Sequence, residues 1–179
     1  RPLFPSGWAF ETQVIAFVLS ADTDHDSDVL AITGASAALA LSEMPLEKTI
    51  AGVRMGLIDG KYVVNPTFPE RKLSRLDLTV AGSMDGIVMV EAGAKEVTET
   101  EVVAALDAAQ TAIKQIISVI DDLAKNAGKP KLKVTQKEIG KAFYREVEEK
   151  VFVPLTEAMR IRGKLENYER VDEVLDELV

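Results

Sequence analysis

Carboxylates and arginines, more than nucleophiles, are the side chains here whose types and spacing could support chemistry. Asp24, Asp26 and Asp28 alternate through a short polar stretch, and Ser27-Asp28 opens the run "DVLAITGASAALALSEMP". Ser, Asp and Asn are the preferred residues at the first turn of a helix, whose free N–H groups and dipole favour an anion. A hydroxyl there suits a bound phosphate, whereas a carboxylate caps the helix and repels the same phosphate. Asp77 and Thr79 share one side of the alternating segment "LDLTVA", shortly after Glu70 and Arg71. Asp77 could hold a metal if Glu70 folds back, but a structural hydrogen bond is the simpler reading. The remaining catalytic repertoire is thin. The chain has no cysteine and a single histidine, His25, so thiolate chemistry and the usual zinc ligand sets have little to work with. Ser36 lies among small residues without a histidine near it in sequence and reads as a packing residue. Arg54, in mid-strand, is expected to pair with a neighbouring carboxylate.

The elements that must position these residues follow from periodicity and breakers. Thr12–Leu19, "TQVIAFVL", is β-branched and apolar and predicts a buried strand. A polar loop with four aspartates follows, then a helix with Asp26 or Ser27 as N-cap, running to about Ser42 and stopping before Pro45. Its small residues predict a close approach to a sheet. Strands over Thr49–Ile58 and Lys61–Pro66 flank the tight-turn pair Asp59-Gly60. Leu76–Ala81 and Ile87–Glu91 complete a meander of about four strands behind one helix.

Beyond Gly93 the period changes to that of a helix over Glu99–Asn126. Thr98 and Glu101 have capping-box spacing, and Gly128 with Pro130 ends the helix. Val102, Leu106, Ala109, Ile113, Ile116, Ile120 and Leu123 form its apolar stripe. From Lys131 on everything reads as helical: Thr135–Lys150, then Val151–Arg162 as its continuation or a second helix bent near Pro154, then Leu165–Val179. A domain boundary is placed between 128 and 129. The basic groups "KPKLK" and "RIRGK" read as solvated linkers, with attraction of phosphate groups as the sharper alternative.

Bulk properties bound the class. The 179 residues are 47% hydrophobic and 28% charged, a globular composition with enough apolar mass for a core. The formal net charge of −8 argues against nucleic-acid binding through bulk charge. No signal peptide and no apolar run of bilayer-spanning length is apparent in the sequence, and the opening "RPLFP" reads as the start of a piece of a longer protein.

The blocks "RPLFPSG", "ETQVIAFVLSAD", "DVLAITGASAALALSEMP", "VRMGLIDGKYVVNPT" and "LDLTVAGSMDGIVMVEAGAKEV" occur in that order. Together they resemble the first RNase PH-like core of the bacterial polynucleotide phosphorylase family, and the tail resembles the all-helical domain that follows it. The resemblance implies an α+β fold: a partial RNase PH-like (ribosomal protein S5 domain 2-like) core with a mixed sheet over residues 1–128, and an all-α module over 129–179. For the whole protein it implies a cytoplasmic, homotrimeric, ring-shaped 3′-5′ exoribonuclease using Mg²⁺ and inorganic phosphate. Such an enzyme takes single-stranded RNA through its channel, releases nucleoside diphosphates, and has possible partners in RNA-degradation complexes. In that family the catalytic site lies in the second core, where paired serines at a helix N-terminus hold phosphate and a D-x-K strand follows. Matched residue by residue, the serine pair falls here on Ser27 and Asp28, and D-x-K on Asp77-Leu78-Thr79. The second catalytic aspartate falls on Arg71. The resemblance therefore implies a degenerate phosphate site at Ser27 and Asp28, a degenerate catalytic strand at Asp77 and Thr79, and no catalytic residue or metal in this segment. Arg1, near the family's RNA path, is the candidate RNA contact. The alternative is a non-catalytic RNA-binding or ring-assembly subunit of an exosome-like complex.

Overall fold

A computed structural model describes residues 3–135 and 139–178; the candidate RNA contact Arg1 lies outside them. The chain divides into two compact units, Arg1–Thr135 and Gln136–Val179. In the first, α1 (Asp28–Leu41) precedes β1 (Ala51–Ile58) and β2 (Lys61–Val64). Then α2 (Phe68–Leu73), β3 (Leu76–Gly82), β4 (Ile87–Ala94) and α3 (Glu99–Ala127) follow. The second unit holds α4 (Lys141–Met159) and α5 (Lys164–Leu178).

The β1–β2 hairpin closes through a two-residue loop, with Ile58 opposite Lys61. Asp59 and Gly60 both take positive φ, 48° and 74°, as a turn matching the strand twist requires. α2 carries the chain across β1, so the sheet order is β2-β1-β3-β4. Every described strand pair is antiparallel. The family resemblance implied a mixed sheet, and the sequence predicted a buried strand over Thr12–Leu19. That segment is instead irregular and exposed, with Phe17 at 78% and Leu19 at 95% of full accessibility. A strand needs a ladder partner for its N–H and C=O groups, and no described strand lies beside this one.

Strand alternation sorts the sheet into two faces. Val53, Met55, Leu57, Leu76, Leu78 and Val80 point to one face and are buried with Ala105, Ala109, Ile113 and Ile117 of α3. Gly52, Arg54, Gly56, Asp77, Thr79 and Ala81 point to the other. The capping box of α3 is complete: Thr98 Oγ1 accepts from the Glu101 N–H, and the Glu101 carboxylate accepts from the Thr98 N–H. Its buried stripe runs Ala105, Ala109, Ile113, Ile117, Ile120, whereas Leu123, expected in the stripe, is 46% exposed. Contrary to the sequence expectation, α3 is by length and composition apolar enough to cross a bilayer. Its apolar face forms the core against the sheet. Gly128 is its C-cap, where a Cβ would collide with the Ala124 carbonyl oxygen.

Helix α1 closes the part of the β1 edge that short β2 leaves open. The Ile50 N–H donates to Ser36 Oγ at 3.0 Å, the Gly52 N–H to Thr33 Oγ1 at 3.2 Å, and the Arg54 N–H to Asn65 Oδ1 at 2.9 Å. Side-chain oxygens thus stand where a neighbouring strand's carbonyls would. A Cβ on Gly52 would lie 3.2 Å from the Ile32 side chain, so the small residue permits this approach. The far end of α1 is held by Lys131, whose Nζ donates to the carbonyls of Leu39, Ala40 and Ser42 at 2.7–2.9 Å. A cation there also complements the helix dipole.

In the second unit α4 includes Pro154 and its C-terminus receives the Asn167 Nδ2 donor at the Ala158 carbonyl, 2.8 Å away. Ala158 and Val174 are buried, while Leu165, Tyr168 and Leu175 of the expected α5 stripe remain at least half exposed.

Ser36 is 2% exposed, and its hydroxyl is the acceptor recorded for the Ile50 N–H. Ser36→Ala is expected to lower the stability of the first unit by about 1–2 kcal/mol, the cost of an unmade hydrogen bond at a part-buried donor. A urea titration reads this as a lower midpoint at unchanged slope.

Candidate functional site

Five charged side chains from four places in the chain converge on the second face of the sheet. Arg54 comes from the middle of β1, between Gly52 and Gly56, where no neighbouring side chain on that strand and face obstructs it. Its Nη1 donates to Asp77 Oδ1 on β3 at 2.6 Å, and its Nη2 to Asp28 Oδ2 at the start of α1. Arg71, in the last turn of α2, donates to Asp77 Oδ2 at 2.9 Å and to Asp26 Oδ2 at 2.8 Å. Asp26 also lies 3.7 Å from Arg54. Asp77 therefore bridges two guanidiniums with its two oxygens, and each guanidinium bridges two carboxylates, the geometry that the planar fork of arginine permits.

Arg54 is the most enclosed member, with its side chain 11% exposed against 42% for Asp77. Its buried Nε has no partner among the described residues. Burial acts to lower the Arg54 pKa, but Asp28 and Asp77 outweigh it and the net shift is upward. Burial likewise acts to raise Asp26, yet the Asp28 N–H together with Arg71 and Arg54 brings it below the usual carboxylate range. Three carboxylates against two guanidiniums leave the cluster one formal negative charge.

The sequence-predicted residues divide accordingly. Asp28 and Asp77 are brought together through Arg54. Ser27 is the N-cap of α1, but its side chain makes no capping hydrogen bond. First-turn amides are met by aspartates: Asp28 Oδ1 accepts from the Val29 N–H at 2.6 Å and Asp26 Oδ1 from the Asp28 N–H at 3.4 Å. Thr79 shares the face of Asp77, is 8% exposed, and stands opposite Arg54 on β1 and Glu91 on β4. Glu70 does not fold back to Asp77. It completes a capping box with Thr67, accepting from that residue's N–H and hydroxyl at 2.8 Å. The carboxylates do not fit a resident Mg²⁺, because the oxygens facing the centre of the cluster are taken by guanidiniums that would repel it.

Sequence reasoning anticipated an ion pair for Arg54 but missed Arg71, placed only as a departure from a catalytic aspartate. The signal was present: the Thr67-x-x-Glu70 capping box starts α2 at Phe68, so Arg71 falls in its last turn next to β3. Asn65 was also missed. It takes a positive φ of 50°, which Asn tolerates better than most residues, and its side chain holds the β1 edge.

His25 and Asp22 form a separate exposed pair, with Nδ1 and Oδ2 2.8 Å apart. Asp22 also accepts the His25 and Asp24 N–H groups at 2.7 and 2.8 Å. The His25 hydrogen bond leads the lowering of Asp22 to about 2, and the same bond raises His25.

Two predictions follow from these contacts. Arg54→Met leaves three carboxylates around one arginine and is expected to cost about 2 kcal/mol, between the values for exposed and buried pairs, since Asp28 and Asp77 are well solvated. Asp77→Asn in the same chain should recover part of it, measured as a coupling in a double-mutant cycle. For the His25 pair, NMR titration should place the imidazole midpoint above the ordinary 6.5 and return it toward that value in Asp22→Asn. A raised histidine contributes stability that is full below pH 6.5 and lost as pH rises through the folded value. The lowered aspartate contributes above its ordinary 3.8 and loses it as pH falls toward 2, so the pair acts most between these limits.

Residues 48–112, which include the whole sheet and the first half of α3, match the family model described as the 3′ exoribonuclease family, domain 2. The chain is 45% identical over 180 residues to polyribonucleotide nucleotidyltransferase of Acidobacterium capsulatum, covering 99% of this chain and 22% of that protein. It is 44% identical to the protein of that name from Halothermothrix orenii, covering 97% of this chain and 25% of that one. With that from Aquifex aeolicus the identity is 42%, over 100% of this chain and 23% of the relative. The chain thus spans about a quarter of the length of these relatives. Among solved structures, rice (Oryza sativa) Rrp46 shares the fold, with a TM-score of 0.53 at 14% identity over 59% of this chain and 51% of that one. Residues 48–112 thus match domain 2 of the 3′ exoribonuclease family, and the chain is similar from end to end to one stretch of these nucleotidyltransferases.

Proposed function

We propose that this chain is a segment of a phosphorolytic 3′-5′ exoribonuclease, and that its own core is catalytically silent. The whole protein would cleave RNA with inorganic phosphate, release nucleoside diphosphates, and use Mg²⁺ held elsewhere in the polypeptide. This segment would supply scaffold, contacts within a homotrimeric ring and part of the RNA channel of a cytoplasmic enzyme.

One observation carries the reading of silence. Where the family would hold phosphate at the start of α1, Asp28 occupies the first turn and Asp26 precedes the N-cap, and Arg54 and Arg71 are already committed to them and to Asp77. A phosphate dianion entering there would have to break arginine–carboxylate bonds and then sit beside the released carboxylates. Phosphoryl transfer depends on positioned cations that can follow the developing charge, and neither guanidinium is free to do so. Thr79, in the lysine's place, is uncharged.

The 179-residue chain incubated with poly(A), phosphate and Mg²⁺ is expected to release no ADP, and the whole protein is expected to release it steadily. Sustained ADP release by the chain alone overturns the assignment of silence; no release by the whole protein overturns the enzyme. Asp77→Asn in the whole protein should change kcat by less than about twofold while lowering thermal stability, because the bond it breaks is structural. Soaking crystals with tungstate should leave the Ser27 amide without an anion, and strong density there would sink the proposal.

A further inference from the structure

Beside the charged cluster lies a cavity of about 340 Å³, within the range of about 300–1,000 Å³ that small-molecule sites span. It opens between α1 and the β1 edge. Val29, Pro66 and Ile116 give it apolar walls, and Thr33, Asn65 and His25 bring polar groups. Asn65 uses Oδ1 to accept the Arg54 N–H, which turns its Nδ2 donors away from that bond. Among the described residues no protein acceptor takes up those donors. Thr33 accepts the Gly52 N–H, leaving its hydroxyl hydrogen without a recorded acceptor among the described residues. The cavity therefore offers spare donors over an apolar floor.

Charge decides the class of ligand. Asp26 lines the cavity, Asp22 and Asp24 lie in the loop before it, and the neighbouring cluster is formally negative. The terminal nitrogens of Arg54 and Arg71 are turned to carboxylates, and the Arg54 Nε, although without a partner among the described residues, is buried. An anion would meet repulsion at the rim, and a cation would forgo the spare donors. A neutral ring with an apolar face and a carbonyl edge satisfies both constraints.

We propose that this cavity binds one neutral nucleobase, a ring with a carbonyl edge such as uracil, with its sugar-phosphate directed to solvent. The ring would lie against Val29, Pro66 and Ile116, and its carbonyl oxygen would accept from Asn65 Nδ2 or the Thr33 hydroxyl. This rests on the reading that the whole protein handles RNA, and gives that RNA a base-binding point outside any phosphate site.

The test is a titration of the ¹⁵N-labelled 179-residue chain with uridine, uridine 5′-monophosphate and phenol. Saturable shifts by uridine confined to the amides of Thr33, Gly52, Asn65 and Ile116 are expected, with the monophosphate binding about threefold or more weakly. Asn65→Asp keeps the Oδ1 acceptor and the tolerance of positive φ but removes the donors. It should weaken uridine about five- to tenfold, the equivalent of one hydrogen bond, in a chain whose free spectrum remains dispersed. Absence of saturable shifts at these amides overturns the proposal, as does tighter binding of the monophosphate. Equal competition by phenol, or an unchanged Asn65→Asp, reduces the site to an apolar hollow and also overturns it. If the shifts are missing while the whole protein still releases diphosphates from RNA, the pocket alone falls. If the shifts are present while no diphosphate is released, the enzyme reading falls and the base site stands.

Discussion

Arg54 leaves β1 between Gly52 and Gly56, so its side chain meets no competing side chain from its own strand on that face. Its two terminal nitrogens reach Asp28 at the start of α1 and Asp77 on β3. One planar group thereby fixes the angle between a helix and a sheet, and α2 is added through Arg71, which shares Asp77 and takes Asp26. The acidic loop is tied in from the backbone as well, since the Phe68 N–H donates to the Asp24 carbonyl at 2.8 Å. A lysine at 54 would bring a single point charge and could not satisfy two carboxylates in two directions with fixed geometry. The arrangement therefore depends on arginine as a shape as much as on its charge.

The helix so anchored does a second task along its length. A sheet edge with open N–H groups invites pairing with another chain, and β1 outruns β2 by several residues. Ser36 and Thr33 answer that edge with hydroxyls at alternate N–H positions, and Asn65 continues the series. Small residues on α1 and Gly52 on β1 let the helix come close enough for a hydroxyl to bridge. Lys131 then holds the last carbonyls of α1, so both ends and the middle of the helix are set by side-chain polar bonds. A helix whose apolar residues face several directions gains its orientation from these contacts rather than from one greasy stripe.

The sequence was most legible where the signal is local. Thr98 and Glu101 announce the start of α3, and Asp59-Gly60 announces the hairpin, because capping boxes and left-handed turns are short-range chemistry. The registry of α3 was read less well: Ala105 and Ile117 face the sheet, while Leu123 lies past its end. Burial depends on where the sheet stops, which the helix period does not contain. Thr12–Leu19 shows the same limit more sharply. Its β-branched run states a preference for extended backbone, but whether a strand forms is decided by a partner elsewhere, and no described strand supplies one. At the candidate site, the mid-strand position of Arg54 announced an ion pair. Which carboxylates it would meet was set by the crossing of α2 and the approach of α1, both tertiary facts.

The family resemblance and the charged cluster bear on one another through a matter of effective concentration. A free phosphate must give up its translational freedom to reach the start of a helix, and it competes at its solution concentration. Asp28 and Asp77 are carried to Arg54 by the helix and strand that hold them, so their effective concentration beside the guanidinium is set by the fold and not by the medium. Once carboxylates occupy the first turn of α1, the internal ligand prevails over the external one without any need for a stronger individual bond. On the proposed reading, the fold of an anion site would persist because the anion has become part of the chain. The same bonds make this place the joint between α1, α2 and the sheet, with both arginines held by carboxylates of the chain itself.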